Sequence, residues 1–376
     1  MKFVHIADVH LGAVPDSDFS WSEAREKEIW NSFHNIINVC NEEKADLLLI
    51  AGDLFHRQPL VRELKEVNYY FSKLTTAQVV IMAGNHDYIG SRSAYPDFLW
   101  NERVHMFYND SLKTVEFPEI NTLVYGFSYY KRDITEPLYD NARPIDKNHI
   151  NILLAHGGDE KDIPINRKRL KEAGFDYIAL GHIHKPEIIH NNIAYAGSLE
   201  PLDKNETGER GYILGEIVQE QGNILQGQGE IVKEQGVISL AGQKEYITSI
   251  RFIPSSMRQY IRLTITATPE TTNGSLLDMT RELMKSNGLQ NIYQLNIQGV
   301  RDEMLRMDKD ALKGLGNVLE VLDQTVPDYD FDILYRENAD NLIGMFIKRI
   351  KESPKQDEAT QKALYYGIEA LLGARN

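Results

Sequence analysis

Along the first 215 residues the chain repeats one arrangement: a short apolar run, a polar tip, then a stretch of helical periodicity. Residues 2–7 (KFVHIA) read as a strand that ends at Asp8. Residues 23–41 follow as a helix, with Ile29, Phe33, Ile36, Ile37 and Cys40 on one face. Residues 46–51 (DLLLIA) are almost continuously apolar, the pattern of a strand covered on both faces, and stop at Gly52-Asp53. Helical spacing resumes over 62–74. Residues 79–83 (VVIMA) make a third strand ending at Gly84-Asn85-His86-Asp87, residues 150–155 run into His156, and 177–180 into Gly181-His182. Strands alternating with helices predict an α/β fold with largely parallel, layered sheets.

The pattern then changes. Residues 219–245 are rich in Gly and Gln with little helical period, and read as hairpins or a connector. A small β-α-β unit is expected next, with strands at 261–267 and 292–297 around a helix at 275–286. From Glu303 onward the chain reads as helical: Leu312, Leu315, Leu319 and Leu322 form one stripe, Leu342, Phe346 and Ile350 a second. Leu364, Ile368, Leu371 and Leu372 line a last helix at 361–372. These shifts divide the 376 residues into a domain at 1–255, a small α/β unit at 256–302 and a helical segment at 303–376.

Composition narrows the class only a little. No apolar run approaches the ~18 residues of a membrane span, and the alternating N-terminus, with Asp8 already in place, is not a secretion signal. A single cysteine, Cys40, excludes a disulfide framework and suits a reducing compartment, so a cytoplasmic protein is expected. The net charge of −14 argues at first against nucleic acid. Residues 1–244 carry −11 of it, however, and acidic residues there that held cations would be partly neutralised, so charge does not decide the partner.

The informative fact is where the polar residues fall. Asp8, His10, Asp53, Asn85, His156, His182 and His184 all lie at or just past the C-terminal end of an expected strand, the edge at which α/β sheets build sites. Seven oxygen and nitrogen donors without a thiolate suit Mn²⁺, Fe²⁺ or Zn²⁺, and they are too many for one ion but enough for two sharing a carboxylate. Singly, each motif has a plain structural explanation. Asp8 and His10 would share one side of an extended segment, and Gly52-Asp53 could be only a turn. Gly84-Asn85-His86-Asp87 is costly to bury unless ligated or hydrogen-bonded. Together, in this order and each at a strand tip, the motifs point to a metal centre. His5, His34, His105, His149 and His190 read as structural, Cys40 as core, and the basic run from Arg167 to Lys171 as a solvated helix face.

Asp8-Val9-His10, Gly52-Asp53, Gly84-Asn85-His86-Asp87, His156 and Gly181-His182-Ile183-His184 together resemble the five motifs of the calcineurin-like metallophosphoesterases. Within that superfamily the chain is similar to the SbcD-type DNA double-strand-break repair nucleases, including a bacterial YhaO-like branch. That likeness rests on the run from Ile6 to Gly12, on Gly52-Asp53-Leu54-Phe55-His56, on Ala196-Gly197-Ser198 after a short hairpin, and on the small β-α-β unit. The resemblance implies a layered β-sandwich flanked by helices, with a β-α-β cap and a helical C-terminal segment. It implies that Asp8, His10, Asp53 and His184 hold one divalent ion and Asp53, Asn85, His156 and His182 another, with Asp53 bridging. Mn²⁺ is then the expected metal, Fe or Zn being possible, and a hydroxide held between the ions would attack phosphorus. His86 would serve the leaving oxygen, its ring oriented by Asp87 or Asp53, and His56 would position substrate. Implied partners are double-stranded DNA ends, single strands, a SbcC-like coiled-coil ATPase docking on the C-terminal helices, and a second copy of the chain. A nucleoid-associated protein would follow from that. A small-molecule or nucleotide phosphodiesterase or phosphatase shares the same metal chemistry and stays open beside the nuclease. A non-catalytic platform is disfavoured because every expected ligand and His86 are present.

Overall fold

A computed structural model of the chain describes residues 1–158, 161–220, 246–355 and 357–373. It falls into two units, Met1–Gln259 and Tyr260–Asn376.

The first unit is built on two six-stranded sheets. It opens with β1 (Lys2–Ile6), α1 (Ser22–Glu42), β2 (Leu47–Ala51), α2 (Val61–Phe71), β3 (Gln78–Met82) and β4 (Val104–Met106). Next come β5 (Lys113–Phe117), β6 (Thr122–Gly126), β7 (Ile150–His156), α3 (Arg167–Lys171) and β8 (Tyr177–Gly181). The unit closes with β9 (Glu187–His190), β10 (Ile193–Tyr195), β11 (Gly211–Gln219) and β12 (Tyr246–Pro254). One sheet runs β12-β11-β1-β2-β3-β4 and the other β5-β6-β7-β8-β10-β9. The β1–β4 and β6-β7-β8-β10 stretches are parallel, as the alternating pattern requires, while β11, β12, β5 and β9 add antiparallel edges. β9 is the first arm of the short hairpin expected before Ala196, whereas β5, β11 and β12 carry too mixed a pattern to announce themselves.

The period of two in each strand sorts side chains into separate cores. In β2, Leu47, Leu49 and Ala51 join Phe3, Val80 and Met82 against Ile152, Leu154 and Ala179 of the other sheet. Leu48 and Ile50 turn the other way, onto Ile29, Phe33, Ile36, Ile37 and Cys40 of α1 and Leu64, Val67 and Phe71 of α2. Both faces of β2 are thus covered, which is why its sequence does not alternate. The second sheet's outer face is covered by Tyr129, Ile134, Tyr139, Ile163 and Leu170. The result is a β-sandwich flanked by helices.

The second unit contains β13 (Tyr260–Ala267), α4 (Asn273–Asn287), β14 (Ile292–Arg301), α5 (Lys309–Lys313), β15 (Val318–Pro327), α6 (Phe331–Glu337), α7 (Leu342–Lys351) and α8 (Glu358–Gly373). A parallel sheet, β13-β14-β15, packs Leu263, Ile265, Leu295, Ile297 and Val321 on Leu276 and Met284 of α4 and Leu312 of α5. The expected helical stripe through Leu319 and Leu322 is not found: these residues lie in strand β15. Gly314 and Gly316 end α5, and Val318, Val321, Thr325 and Val326 are β-branched, which favours a strand over a leucine-spaced helix. Beyond it, Ile343, Ile347 and Ile368 form a small helical core. The reading of 219–245 as hairpins or a connector lies, over 221–245, outside the described residues. Among the described residues, no helix is long and apolar enough to cross a membrane.

Candidate metal centre

Five strand ends of the sandwich deliver the side chains. Beyond β1 the chain does not stay extended: Asp8 and His10 have φ of 50° and 53°, in the left-handed region. The expectation of two side chains alternating along an extended segment is therefore corrected. This turn pairs with the one after β2, through Asp8 N–H to the Gly52 carbonyl (3.2 Å) and His10 N–H to the Asp53 carbonyl (3.0 Å). Asp53 itself has φ of 50° and His182, after β8, 94°. Four of the candidate ligands thus sit in a backbone region that non-glycine residues enter at a cost, a frequent mark of functional sites.

The glycines that precede the ligands have steric reasons. A Cβ on Gly84 would lie 2.3 Å from Asp53 Oδ1, and one on Gly52 2.3 Å from His156 Nδ1. Each strand tip therefore abuts the next ligand directly.

All seven expected ligands converge. Asp8, His10 and His184 offer donor atoms within 4.8 Å of one another, as do Asp8, Asp53 and His156, and as do His10, His56 and His86. His10 Nε2 lies 3.0 Å from His184 Nε2. Asn85 Oδ1 lies 2.9 Å from His156 Nε2 and 3.3 Å from His182 Nδ1. Asp53 Oδ2 stands between the groups, 3.8 Å from His10 Nε2 and 3.5 Å from His156 Nε2. The main-chain N–H of His182 points at both Asp8 carboxylate oxygens at 3.0 Å.

This donor set fits divalent cations. His156 Nδ1 donates to the Ala51 carbonyl at 2.8 Å, which leaves Nε2 as the ring's lone pair. That lone pair faces the Asn85 oxygen and the Asp53 carboxylate, so three acceptors meet at a point that is fully buried at His156. Only a proton or a cation relieves such a meeting. The titration behaviour agrees. Burial alone would raise Asp53, but His156, His10 and His86 hold it well below the usual carboxylate range. Burial pushes Asp8 up to about 6 against the pull of His184 and His156. His10 is driven well below its ordinary value by burial, despite Asp53. His156 would be lowered by burial, yet Asp53 and Asp8 hold it up at about 9.

His86 stands at the rim. Its Nδ1 donates to the His56 carbonyl at 2.9 Å, and its main-chain N–H donates to Asp53 Oδ1 at 2.8 Å. The expectation that a carboxylate orients the ring is corrected, since the His56 carbonyl does so. Asp87 is buried and turned away, accepting from Gly84 N–H, Phe55 N–H and the Tyr95 hydroxyl. His56, exposed, has Nδ1 3.4 Å from His10 Nδ1 and its ring stacked on His86 at 5.2 Å.

Two sets of residues were not legible in the sequence. Tyr139 accepts from His156 N–H (3.0 Å), and both Tyr139 and Tyr129 donate to the His156 carbonyl, clamping that ligand by its main chain. Glu206, in the loop after β10, accepts a hydrogen bond from His184 Nδ1–H at 2.6 Å. Of the other histidines, His5 has Nδ1 2.8 Å from the Tyr177 hydroxyl between the sheets, and His190 sits in the β9–β10 hairpin. Cys40 is buried in the α1 core, and Arg167 and Arg169 of α3 pair with Glu187 and Asp140.

Comparison with known proteins agrees with this geometry. The calcineurin-like phosphoesterase family matches residues 1–186. The metallophosphoesterase YhaO of Bacillus subtilis is 30% identical over 57% of this chain, and the DNA double-strand break repair protein Mre11 of Methanocaldococcus jannaschii 34% over 55%. The SbcD component of the SbcCD nuclease of Staphylococcus epidermidis is 26% identical over 59%. The chain spans 57%, 58% and 67% of those relatives' own lengths, respectively. All seven converging side chains lie inside the matched region, and we conclude that residues 1–186 form a calcineurin-like metallophosphoesterase domain.

Proposed function

We propose that the chain is a divalent-metal-dependent DNA nuclease, an exonuclease and single-strand endonuclease, that works with a SbcC-like coiled-coil ATPase. The observation that carries the reading is the gathering of Asp8, His10, Asn85, His156, His182 and His184 around the one carboxylate of Asp53. The names of the Mre11 and SbcD relatives direct it toward DNA.

Asp8, His10, Asp53 and His184 would hold one ion and Asp53, Asn85, His156 and His182 the other, with Mn²⁺ the preferred metal. Two such cations supply charge neutralisation at the phosphoryl oxygens and bring a water's pKa toward neutrality. The remaining work belongs to the chain. The Ala51 carbonyl fixes the His156 tautomer and the tyrosine clamp fixes its position. The His56 carbonyl holds Nδ1–H of His86, so Nε2 takes up a proton and delivers it to the leaving oxygen. His56, exposed beside it, steers the phosphodiester. The amphipathic helices α7 and α8 provide the ATPase dock, with Leu342 and Met345 65% and 64% exposed. We place this activity in the cytoplasm, on the nucleoid.

The test is hydrolysis with added Mn²⁺ of a 3′-labelled duplex, bis-p-nitrophenyl phosphate and p-nitrophenyl phosphate. DNA degradation with diester cleavage and little monoester turnover is expected. Cleavage of the small esters with DNA untouched, even with the ATPase present, would replace the nuclease by a small-molecule phosphodiesterase.

A further inference from the structure

Four histidines are candidate ligands, and the second nitrogen of each ring has a different neighbour. His156 Nδ1 donates to a neutral carbonyl, that of Ala51. His10 Nδ1 faces another imidazole, that of His56, at 3.4 Å. His182 keeps Nδ1 on the site side, toward the Asn85 oxygen, and its Nε2 lies 3.8 Å from Asp162 Oδ2. His184 Nδ1 meets a carboxylate oxygen at hydrogen-bond distance: Glu206 Oε1, at 2.6 Å.

Glu206 is itself held. Its Oε2 accepts from Leu202 N–H at 2.9 Å, and its main-chain N–H donates to the Asp203 carbonyl at 2.9 Å. The same loop grips the main chain of His184, because Ser198 N–H donates to the His184 carbonyl at 3.0 Å. Gly197, at φ 74°, makes that approach possible: a Cβ there would stand 2.6 Å from the same carbonyl. One loop thus fixes both the backbone and the ring of this ligand.

We infer that Glu206 is a positioning residue that locks His184 with Nδ1 protonated and its Nε2 lone pair aimed at the ion. This rests on the two-metal reading proposed above. A carboxylate behind a ligating imidazole fixes its tautomer and raises its basicity, and removing such a partner costs roughly 10–100-fold in metal affinity. Among the described contacts Glu206 touches His184 alone of the candidate ligands, so the other binding step should not feel its loss.

The test is Mn²⁺ titration of the metal-free full-length protein by calorimetry, wild type against Glu206→Gln. Glutamine keeps the volume and an acceptor for Leu202 but removes the charge. Nitrogen-15 shifts of the histidines in the metal-free protein give a second readout. We expect two binding steps in the wild type, one of them weakened about 10–100-fold in Glu206→Gln and the other unchanged. The His184 shifts should pass from a single Nδ1–H tautomer to a mixture. Glu206→Ala, which deletes both hydrogen bonds, should weaken the same step at least as much. Equal weakening of both steps, or none in either variant, overturns the inference. A wild-type protein that binds no Mn²⁺ overturns the two-metal reading itself, whatever the variants do.

Discussion

His5 offers a measurement of how strongly the sandwich resists acid. It lies on the inter-sheet face of β1 with Phe3, fully buried, its ring edge-on to Tyr177 at 5.8 Å. Burial lowers its pKa from 6.5 to about 3, the Leu180 main chain recovering only part. Above pH 6.5 the ring is neutral whether the chain is folded or not, and contributes no pH dependence. Between pH 6.5 and 3 the unfolded chain binds a proton that the folded one refuses, so stability falls as pH falls. The slope approaches 1.36 kcal/mol per pH unit, which amounts to about 2 kcal/mol between pH 7 and pH 5. Asp8 and Asp87, both raised to about 6, act in the opposite direction, but equally in any variant that leaves them alone. The perturbation is His5→Asn, which keeps a polar atom near the position of Nδ1. It leaves a cavity, so absolute stability drops at every pH, and the slope is the readout. Trp21, Trp30 and Trp100, the only three tryptophans, all lie in the first unit, so urea unfolding followed by their fluorescence reports on that unit. EDTA keeps metal release out of the comparison. The wild type should lose about 2 kcal/mol more than His5→Asn between pH 7 and pH 5. Equal losses would refute the reasoning and mean that water or a rearranged ring accepts the proton at little cost.

Asp53→Asn removes the carboxylate that faces both ligand groups, so metal content should drop below two per chain and hydrolysis should vanish. Wild-type turnover in that variant would exclude a bridging role. His86→Leu should keep metal stoichiometry while lowering kcat by roughly 10²–10⁴-fold, the range of a general acid. Metal loss there, seen by elemental analysis, would make His86 structural instead. Leu342→Asp with Met345→Asp places charge on the exposed side of α7, and should abolish pull-down of a SbcC-like ATPase while leaving bis-p-nitrophenyl phosphate turnover unchanged; retained binding would move the dock elsewhere.

Much of this was legible in the chain because each strand that carries a candidate ligand is short and closed by a polar tip. The six residues from Asp46 to Ala51 give both the strand and its double burial, since Leu48 and Ile50 face helices while Leu47 and Leu49 face the other sheet. What failed did so where local spacing competes with tertiary pairing. Leu312, Leu315, Leu319 and Leu322 have helical spacing, but β14 offers the last two an edge to pair with, and their β-branched neighbours take it. The convergence of Asp8 and His10 was expected from alternation and is achieved by a left-handed turn instead, which a triplet of residues cannot reveal. Glu206 is invisible to any pattern: it sits in a polar loop, 22 positions from His184, and acquires meaning only once the loop folds back.

The left-handed conformations of Asp8, His10, Asp53 and His182 also bear on how such a protein evolves. Each costs on the order of 1–2 kcal/mol relative to glycine, in a fold whose whole margin is typically 5–15 kcal/mol. Replacing any of them by glycine would relax the backbone and remove a buried charge or ring at the same time. Selection for a sturdy fold alone therefore pulls these four positions toward glycine, against the chemistry. A descendant released from that chemistry would be expected to lose these residues before it lost the sandwich.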